Sequence, residues 1–223
     1  MKGTIISIII CMLALSVPPA EAALITIEIT AEVDSVRDEA NYLEGKISPG
    51  DIITGSYTYE SSTQDSSPII SVGDYWHYAP PCGISLGVGG FMFSTDPANI
   101  EFLVEIINDH PPFSSINRDA YLLRSYNNLP LSNGTLVYDI SWHLNDSTAT
   151  ALSSDALPTT PPILDDWSQS GLYISGGFGT EIDPITSRPP VFVFEAHVTS
   201  AIPEPATILL LTLGGLLLRK RSS

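Results

Sequence analysis

The stretch Leu136–Leu144 reads LVYDISWHL, and it indicates the fold class of the whole chain. Large apolar side chains recur at every second position, from Leu136 through Tyr138, Ile140 and Trp142 to Leu144. Successive side chains of a β-strand point to opposite faces, so this period is typical of a strand with one buried face. Trp142 is therefore predicted to lie in the core.

The same alternation occurs near the start of the chain, where Ile25, Ile27 and Ile29 are separated by polar residues. Further strand candidates are residues 52–60, 83–94, 100–107, 120–126, 172–175 and 191–198. They are separated by turn-forming sequences such as Asn133-Gly134, a strong hairpin signal. Between the two ends of the chain no apolar stripe keeps a helical period for long, although residues 155–167 could hold one helical turn.

About nine short strands joined by polar turns predict an all-β fold with mostly antiparallel neighbours. We therefore expect a single antiparallel β-sandwich or jelly-roll domain over residues 23–201, with residues 1–22 and 202–223 outside it. Residues 200–202 would form a short tether.

The first 22 residues have the order of a secretory signal peptide. Lys2 precedes an apolar run from Ile5 to Val17, and the small residues Ala20 and Ala22 follow. This order predicts export through the Sec machinery, with cleavage between Ala22 and Ala23. Removal of residues 1–22 would leave Cys82 as the only cysteine, so no intramolecular disulfide is expected, and Cys82 is predicted to be buried.

The charge of the central region excludes one class of partner. Between Ala23 and Ile202 there are five basic and 23 acidic residues, a formal charge of −18. Such a surface repels nucleic acid and anionic lipid and keeps an exported protein soluble. DNA or RNA binding is therefore not expected.

The carboxyl end carries a second targeting pattern. Pro203-Glu204-Pro205 precedes an apolar run, Ile208–Leu218, in which eight of eleven residues are Ile or Leu. The prolines prevent an earlier helix start. The basic residues after the run are Arg219, Lys220 and Arg221, which should stay on the cytoplasmic side of a membrane. We expect a short hydrophobic helix that anchors the chain with its domain outside.

This end of the chain resembles the PEP-CTERM family of sorting signals, which combine a Pro-Glu-Pro triplet, a short apolar helix and a basic tail at the carboxyl terminus. The resemblance covers residues 202–223; residues 124–134 and 151–158 are similar to segments of uncharacterised members. It implies recognition of Pro203, Glu204 and Pro205 by an exosortase, and an association with exopolysaccharide or biofilm. On this resemblance the chain would be held briefly in the inner membrane and then delivered to the cell surface or outside.

Sequence patterns of catalysis are absent. The four histidines, His77, His110, His143 and His197, are widely spaced, and no Gly-x-Ser-x-Gly or phosphate-loop pattern occurs. Glycines 87, 89 and 90 lie in a strand-like segment, where a bulge or close sheet packing explains them better. We expect no enzyme, no cofactor and no catalytic residue. Glycoside hydrolysis by two carboxylates is the third-ranked function, because carboxylates are abundant.

Calcium is a separate hypothesis. Asp74 and the pair Asp165-Asp166 offer oxygen ligands on loops, and an acidic domain without disulfides would gain stability from an ion. No calcium-loop motif supports it.

The leading interpretation is a noncatalytic exported surface or matrix protein, and the alternative is a carbohydrate-binding module. Flat aromatic side chains match the apolar face of a sugar ring, and Trp76 lies in Asp74-Tyr75-Trp76-His77-Tyr78, where aromatics occupy both strand faces. Trp76 is therefore the candidate ligand contact.

Overall fold

The computed structural model describes residues 23–110, 118–177 and 191–204. These residues contain ten β-strands and one single-turn 3-10 helix, Leu164–Asp166. The strands are β1 (Leu24–Asp38), β2 (Ile52–Glu60), β3 (Val72–His77), β4 (Gly83–Val88), β5 (Phe91–Ser94), β6 (Phe102–His110), β7 (Arg118–Ser125), β8 (Leu136–Asp146), β9 (Gln169–Gly177) and β10 (Phe192–Pro203). The all-β prediction is confirmed, and the helical turn lies within residues 155–167 as expected.

The ten strands form one antiparallel sheet with the order β3-β6-β7-β8-β9-β10-β1-β2-β4-β5. We expected two packed sheets, and the observed sheet is instead hydrogen-bonded throughout. Strand β1 explains the difference, because its 15 residues pair with β10 on one side and β2 on the other. Register shifts near Thr30 and Val33 interrupt its pairing with β10, and such bulges bend a strand.

The sheet curls until its two halves face each other across one core. Tyr57 of β2 contacts the ring of Trp142 of β8, with ring centroids 6.0 Å apart. The Tyr57 hydroxyl also lies 3.1 Å from the hydroxyl of Tyr121 on β7. All three side chains are at most 1% exposed. Beyond β5, the amide of Asp96 donates to the carbonyl of Asn127 at 2.9 Å, which ties this end of the sheet to the segment after β7.

Three segments, which contain strands β3, β4, β5 and β8, depart from the predicted pattern. Strand β3 has no counterpart among the predicted strands. Residues 83–94 form two strands, because Gly89 and Gly90 adopt φ of +60° and +80° and make a hairpin turn where we expected a bulge or close sheet packing. In β8 a register shift between Val137 and Asp139 reverses the alternation, so Val137 is buried and Leu136 is 44% exposed.

Strand β10 continues further than expected. Ala201, Ile202 and Pro203 pair with Ile29, Glu28 and Ile27 of β1. Residues 200–202 therefore belong to the sheet and do not form a tether.

Candidate functional site

A row of side chains crosses the outer face of half of the sheet. The row contains one residue from each of five neighbouring strands, and each residue is the cross-strand partner of the next. In the order β3, β6, β7, β8 and β9, they are Trp76, Leu103, Arg124, Ser141 and Tyr173. The preceding row contains Tyr75, Val104, Leu123, Trp142 and Leu172, and all five belong to the buried core. Because side chains alternate between faces, the row that contains Trp76 lies on the face opposite the core.

Trp76 is the centre of an aromatic cluster on this outer face. Its ring lies 6.1 Å from that of Tyr78, with the two planes 6° apart. It also lies 5.5 Å from the ring of Tyr126, at 29°. Tyr78 is 66% exposed, and Trp76 and Tyr126 are partly exposed. We call Trp76, Tyr78 and Tyr126 the aromatic platform.

The alternation along β3 explains why Trp76 and Tyr78 are available. Tyr75 and His77 point inward and are buried, so Trp76 between them points outward, and Tyr78 follows on the same side. The sequence alone left the orientation of Trp76 open because large rings occur on both faces. The core position of Tyr75 decides it.

Polar groups border the platform on β7 and β8. The Arg124 guanidinium lies 4.7 Å from the centre of the Tyr126 ring, and its Nε donates to Oδ1 of Asp139 at 2.6 Å. The Ser141 hydroxyl donates to Oδ2 of Asp139 at 3.0 Å. Leu103 lies between Trp76 and Arg124 in the register and is only 4% exposed, which indicates that its neighbours cover it.

A second aromatic contact lies at the far end of the row. The rings of His143 and Tyr173 meet edge to face with centroids 5.7 Å apart. Tyr173 is 40% exposed. Burial lowers the pKa of His143, and Arg124 acts in the same direction, while Asp139 opposes it.

Two carboxylates adjoin the platform. Asp74 of β3 lies directly opposite Glu105 of β6. The pKa of Glu105 is raised mainly by burial and, to a smaller extent, by the nearby Asp74.

The other candidate calcium ligands, Asp165 and Asp166, lie in the 3-10 helix. Within the described ranges, no three carboxylate, imidazole or thiol groups come close enough together to hold a metal ion. The calcium hypothesis therefore gains no ligand set from this part of the chain.

The remaining chemically reactive groups have structural partners. His77 is buried, and its Nδ1 lies 3.1 Å from the Thr63 hydroxyl. His197 Nδ1 lies 2.6 Å from Oδ1 of Asp34. Cys82 is a free, buried thiol, as predicted. The side chain of His110 lies outside the described residues.

The predicted sorting residues are described only at their start. Pro203 is the last residue of β10, and the amide of Glu204 donates to the carbonyl of Thr26 at 3.0 Å. That bond makes residues 26 and 204 a hydrogen-bonded pair, so the nitrogen of Pro203 faces away from β1. Strand β9 pairs with β10 only from Phe192 to Ala196, so the missing N–H of Pro203 breaks no ladder bond.

The other predicted processing residues lie outside the described part of the chain, except Ala23, which is its first residue. They are Ala20, Ala22, Pro205, Arg219, Lys220 and Arg221. In residues 23–110, 118–177 and 191–204 no helix has the length and apolar character needed to cross a membrane.

Sequence reasoning identified Trp76 together with the neighbouring aromatic Tyr78, but it missed Tyr126, Arg124 and Tyr173. The available signal was the position of these residues: Arg124 and Tyr126 alternate with buried residues at the end of β7.

Comparison of the chain with family models, with curated proteins and with solved structures finds no match. Function must therefore be argued from the geometry of the outer face.

Proposed function

We propose that this chain is an exported, noncatalytic surface or extracellular-matrix protein whose domain binds polysaccharide through the aromatic platform. The observation that carries the proposal is the stacking of Trp76 with Tyr78 and Tyr126 on the outer face of the sheet. Large aromatic side chains on the core side are explained by packing. These three are partly or largely exposed on the other face.

The platform suits a sugar ring for a physical reason. One face of a pyranose carries mostly C–H groups, and stacking it on an aromatic ring removes apolar surface of both from water. Hydroxyl groups at the ring edge would then lie near polar side chains, and Arg124 and Asp139 provide these beside Tyr126. The arrangement combines an apolar surface with polar groups that orient a ligand.

The same face supports binding more than hydrolysis. Glycoside hydrolysis needs two carboxyl groups on opposite sides of the scissile bond. Asp74 and Glu105 instead project from one face of the sheet as direct cross-strand neighbours, where burial, and after it the nearby Asp74, raises the pKa of Glu105.

The proposal includes the route of export. Residues 1–22 would be removed as a signal peptide, and residues 202–223 would form the sorting signal and a short membrane helix, read by an exosortase before release to the surface. The two facing halves of the curled sheet would act as the two layers of a sandwich. The excess of acidic residues over basic residues fits a protein that works outside the cell, away from nucleic acid.

Replacing Trp76 with alanine should weaken polysaccharide binding at least about tenfold, since a stacked aromatic anchor of 1.4 kcal/mol or more would be lost. The measurement is affinity electrophoresis of residues 23–204 in gels that contain hydroxyethyl cellulose, galactomannan, dextran or alginate. At least one uncharged polymer should retard the parent protein.

The matched control is Trp167→Ala, which removes a partly buried tryptophan away from the platform. It should migrate like the parent, and circular dichroism should show that both variants are folded. If no polymer retards the parent, or if Trp76→Ala is retarded equally, the polysaccharide-binding part of the proposal is wrong.

Mass spectrometry of the protein recovered from its own cells tests the export route. The mature chain should begin at Ala23 and lack the apolar tail. Glu204→Ala should retain that tail, because an exosortase would no longer recognise the triplet. The described contact of Glu204 with the sheet is made by its backbone amide, so the substitution should leave the domain folded. A chain that still begins at Met1, or a tail processed equally in parent and variant, would contradict this route.

A further inference from the structure

We infer that the binding surface continues from the aromatic platform across five strands to Tyr173 and His143, and that it takes an internal segment of an uncharged, linear polysaccharide. This inference rests on the proposed function, because it names the class of polymer and the residues at the other end of the same site.

The first step is the spacing of the two aromatic contacts. Trp76 and Tyr173 occupy the two ends of one cross-strand row, on β3 and β9. Four strand spacings of about 4.8 Å separate them, or about 19 Å. A sugar unit is about as long as one such spacing, so a single sugar cannot reach both contacts, whereas a chain of about five units can.

The second step is the chemistry between those contacts. Arg124 occupies the middle of the row, and its partner Asp139 lies two residues before Ser141 on β8; their side chains are 42% and 22% exposed. Their ion pair holds both groups in place, and a guanidinium has further N–H donors besides Nε. The surface therefore has aromatic side chains at both ends and hydrogen-bonding side chains in the middle. A glycan chain offers both kinds of partner, because its sugar rings have apolar faces and its ring edges carry hydroxyl groups.

The third step is charge. Arg124 is the basic residue within this row, and its charge is compensated by Asp139 at 2.6 Å. Asp74 and Glu105 lie in the neighbouring row of the same face and add two carboxylates beside Trp76, whereas Arg118 is the one cation of the described residues that acts on Glu105. A polyuronate would meet these carboxylates with no free cation in the row to bind it, so an uncharged chain is favoured.

The fourth step is the openness of the surface. Tyr78 is 66% exposed at one end of the surface and Tyr173 is 40% exposed at the other. A chain end is usually recognised by a pocket that closes around it, whereas an open sheet face lets a polymer continue past both ends. The surface therefore fits internal segments of a chain.

Isothermal titration with oligosaccharides of two to six units tests the inference. They are prepared by partial hydrolysis of the polymer that retards the parent protein in the gels described above. Affinity should rise at least about tenfold between two and five units, equivalent to about 1.4 kcal/mol. Tyr173→Ala should remove that rise and leave the affinity for two units unchanged, while Tyr173→Phe, which keeps the ring, should retain it.

The outcomes separate the two proposals. If five units bind no more tightly than two, or if Tyr173→Ala binds five units as the parent does, the extended surface is wrong. In that case, loss of all binding in Trp76→Ala would still support the aromatic platform as the polysaccharide-binding site. Tighter binding of alginate than of every uncharged polymer would also overturn the inference. If the parent binds no polymer, both proposals are wrong.

Discussion

Replacing Trp142 with alanine should lower the free energy of unfolding by about 3 to 5 kcal/mol, the range for deleting a fully buried large aromatic side chain. Trp142 is completely buried, and its ring meets those of Tyr57 and Tyr121 edge to face at 6.0 and 5.9 Å. Its indole N–H donates to the Ser170 hydroxyl at 3.3 Å. Because Trp142 joins the two facing halves of the sheet, the cavity would lie at the centre of the fold.

Urea unfolding of residues 23–204, followed by circular dichroism, measures this loss. Trp142→Phe keeps an aromatic ring and should lose less stability than the alanine variant. Trp167→Ala removes a tryptophan that is only partly buried at the edge of the core, and it should also cost less. If Trp142→Ala unfolds at the same urea concentration as the parent, Trp142 does not pack between the two halves.

The domain should also lose about 3 kcal/mol of stability through His77 as the pH falls from about 6.5 to about 4. Burial lowers the pKa of His77 to about 4 in the folded state, with a smaller opposing effect from Glu60. In the unfolded chain a histidine has its ordinary pKa of about 6.5. Below that pH the unfolded state binds a proton that the folded state excludes, so acid favours unfolding.

The structural cause is the environment of the imidazole. His77 is 4% exposed, its ring centroid lies 6.3 Å from that of Tyr59 and 6.0 Å from that of Phe102, and its Nε2 has no hydrogen-bond partner. A charged imidazolium there would have a buried, unpaired N–H. The neutral form requires only the contact between Nδ1 and the Thr63 hydroxyl.

Comparison of the parent with His77→Phe isolates this effect. His143, with a lowered pKa, acts in the same direction, and Glu105, with a raised pKa, acts in the opposite one, but both are present in the two proteins. Urea unfolding at pH 7.5 measures the packing effect of the substitution alone, since His77 is neutral there in both states. The variant should then lose less stability between pH 6.5 and 4. If the parent and His77→Phe lose the same stability between pH 6.5 and 4, the folded state does not exclude the proton from His77, and the prediction is wrong.

The strand content was largely predictable, because alternation depends only on neighbouring residues. Residues 52–60 were predicted as a strand, and β2 has those bounds. Strand β3 was missed because Trp76 and Tyr78 place large rings on its exposed face and remove the contrast between the two sides. The reversal in β8 was missed because a bulge at Tyr138 changes which residues point inward without changing the composition.

The candidate site was predictable only at Trp76 and its neighbour Tyr78. Trp76 was identified from aromatic chemistry, but Tyr126 and Tyr173 lie 50 and 97 positions further along the chain. Their alignment with Trp76 depends on the order β3-β6-β7-β8-β9, in which a strand distant in sequence lies beside β3. A local pattern contains no information about that order.

By itself, then, the sequence determined that the chain forms antiparallel strands, that Trp142 and Cys82 are buried, and that the domain is strongly acidic. These properties follow from side-chain period, hydrophobicity and charge, which are local or additive. Only the tertiary structure decided that the strands join into one curled sheet, and that Trp76, Arg124 and Tyr173 share one outer row. Backbone hydrogen bonds between distant strands set that register, and a shift of one residue in any strand would turn its contribution to the row inward.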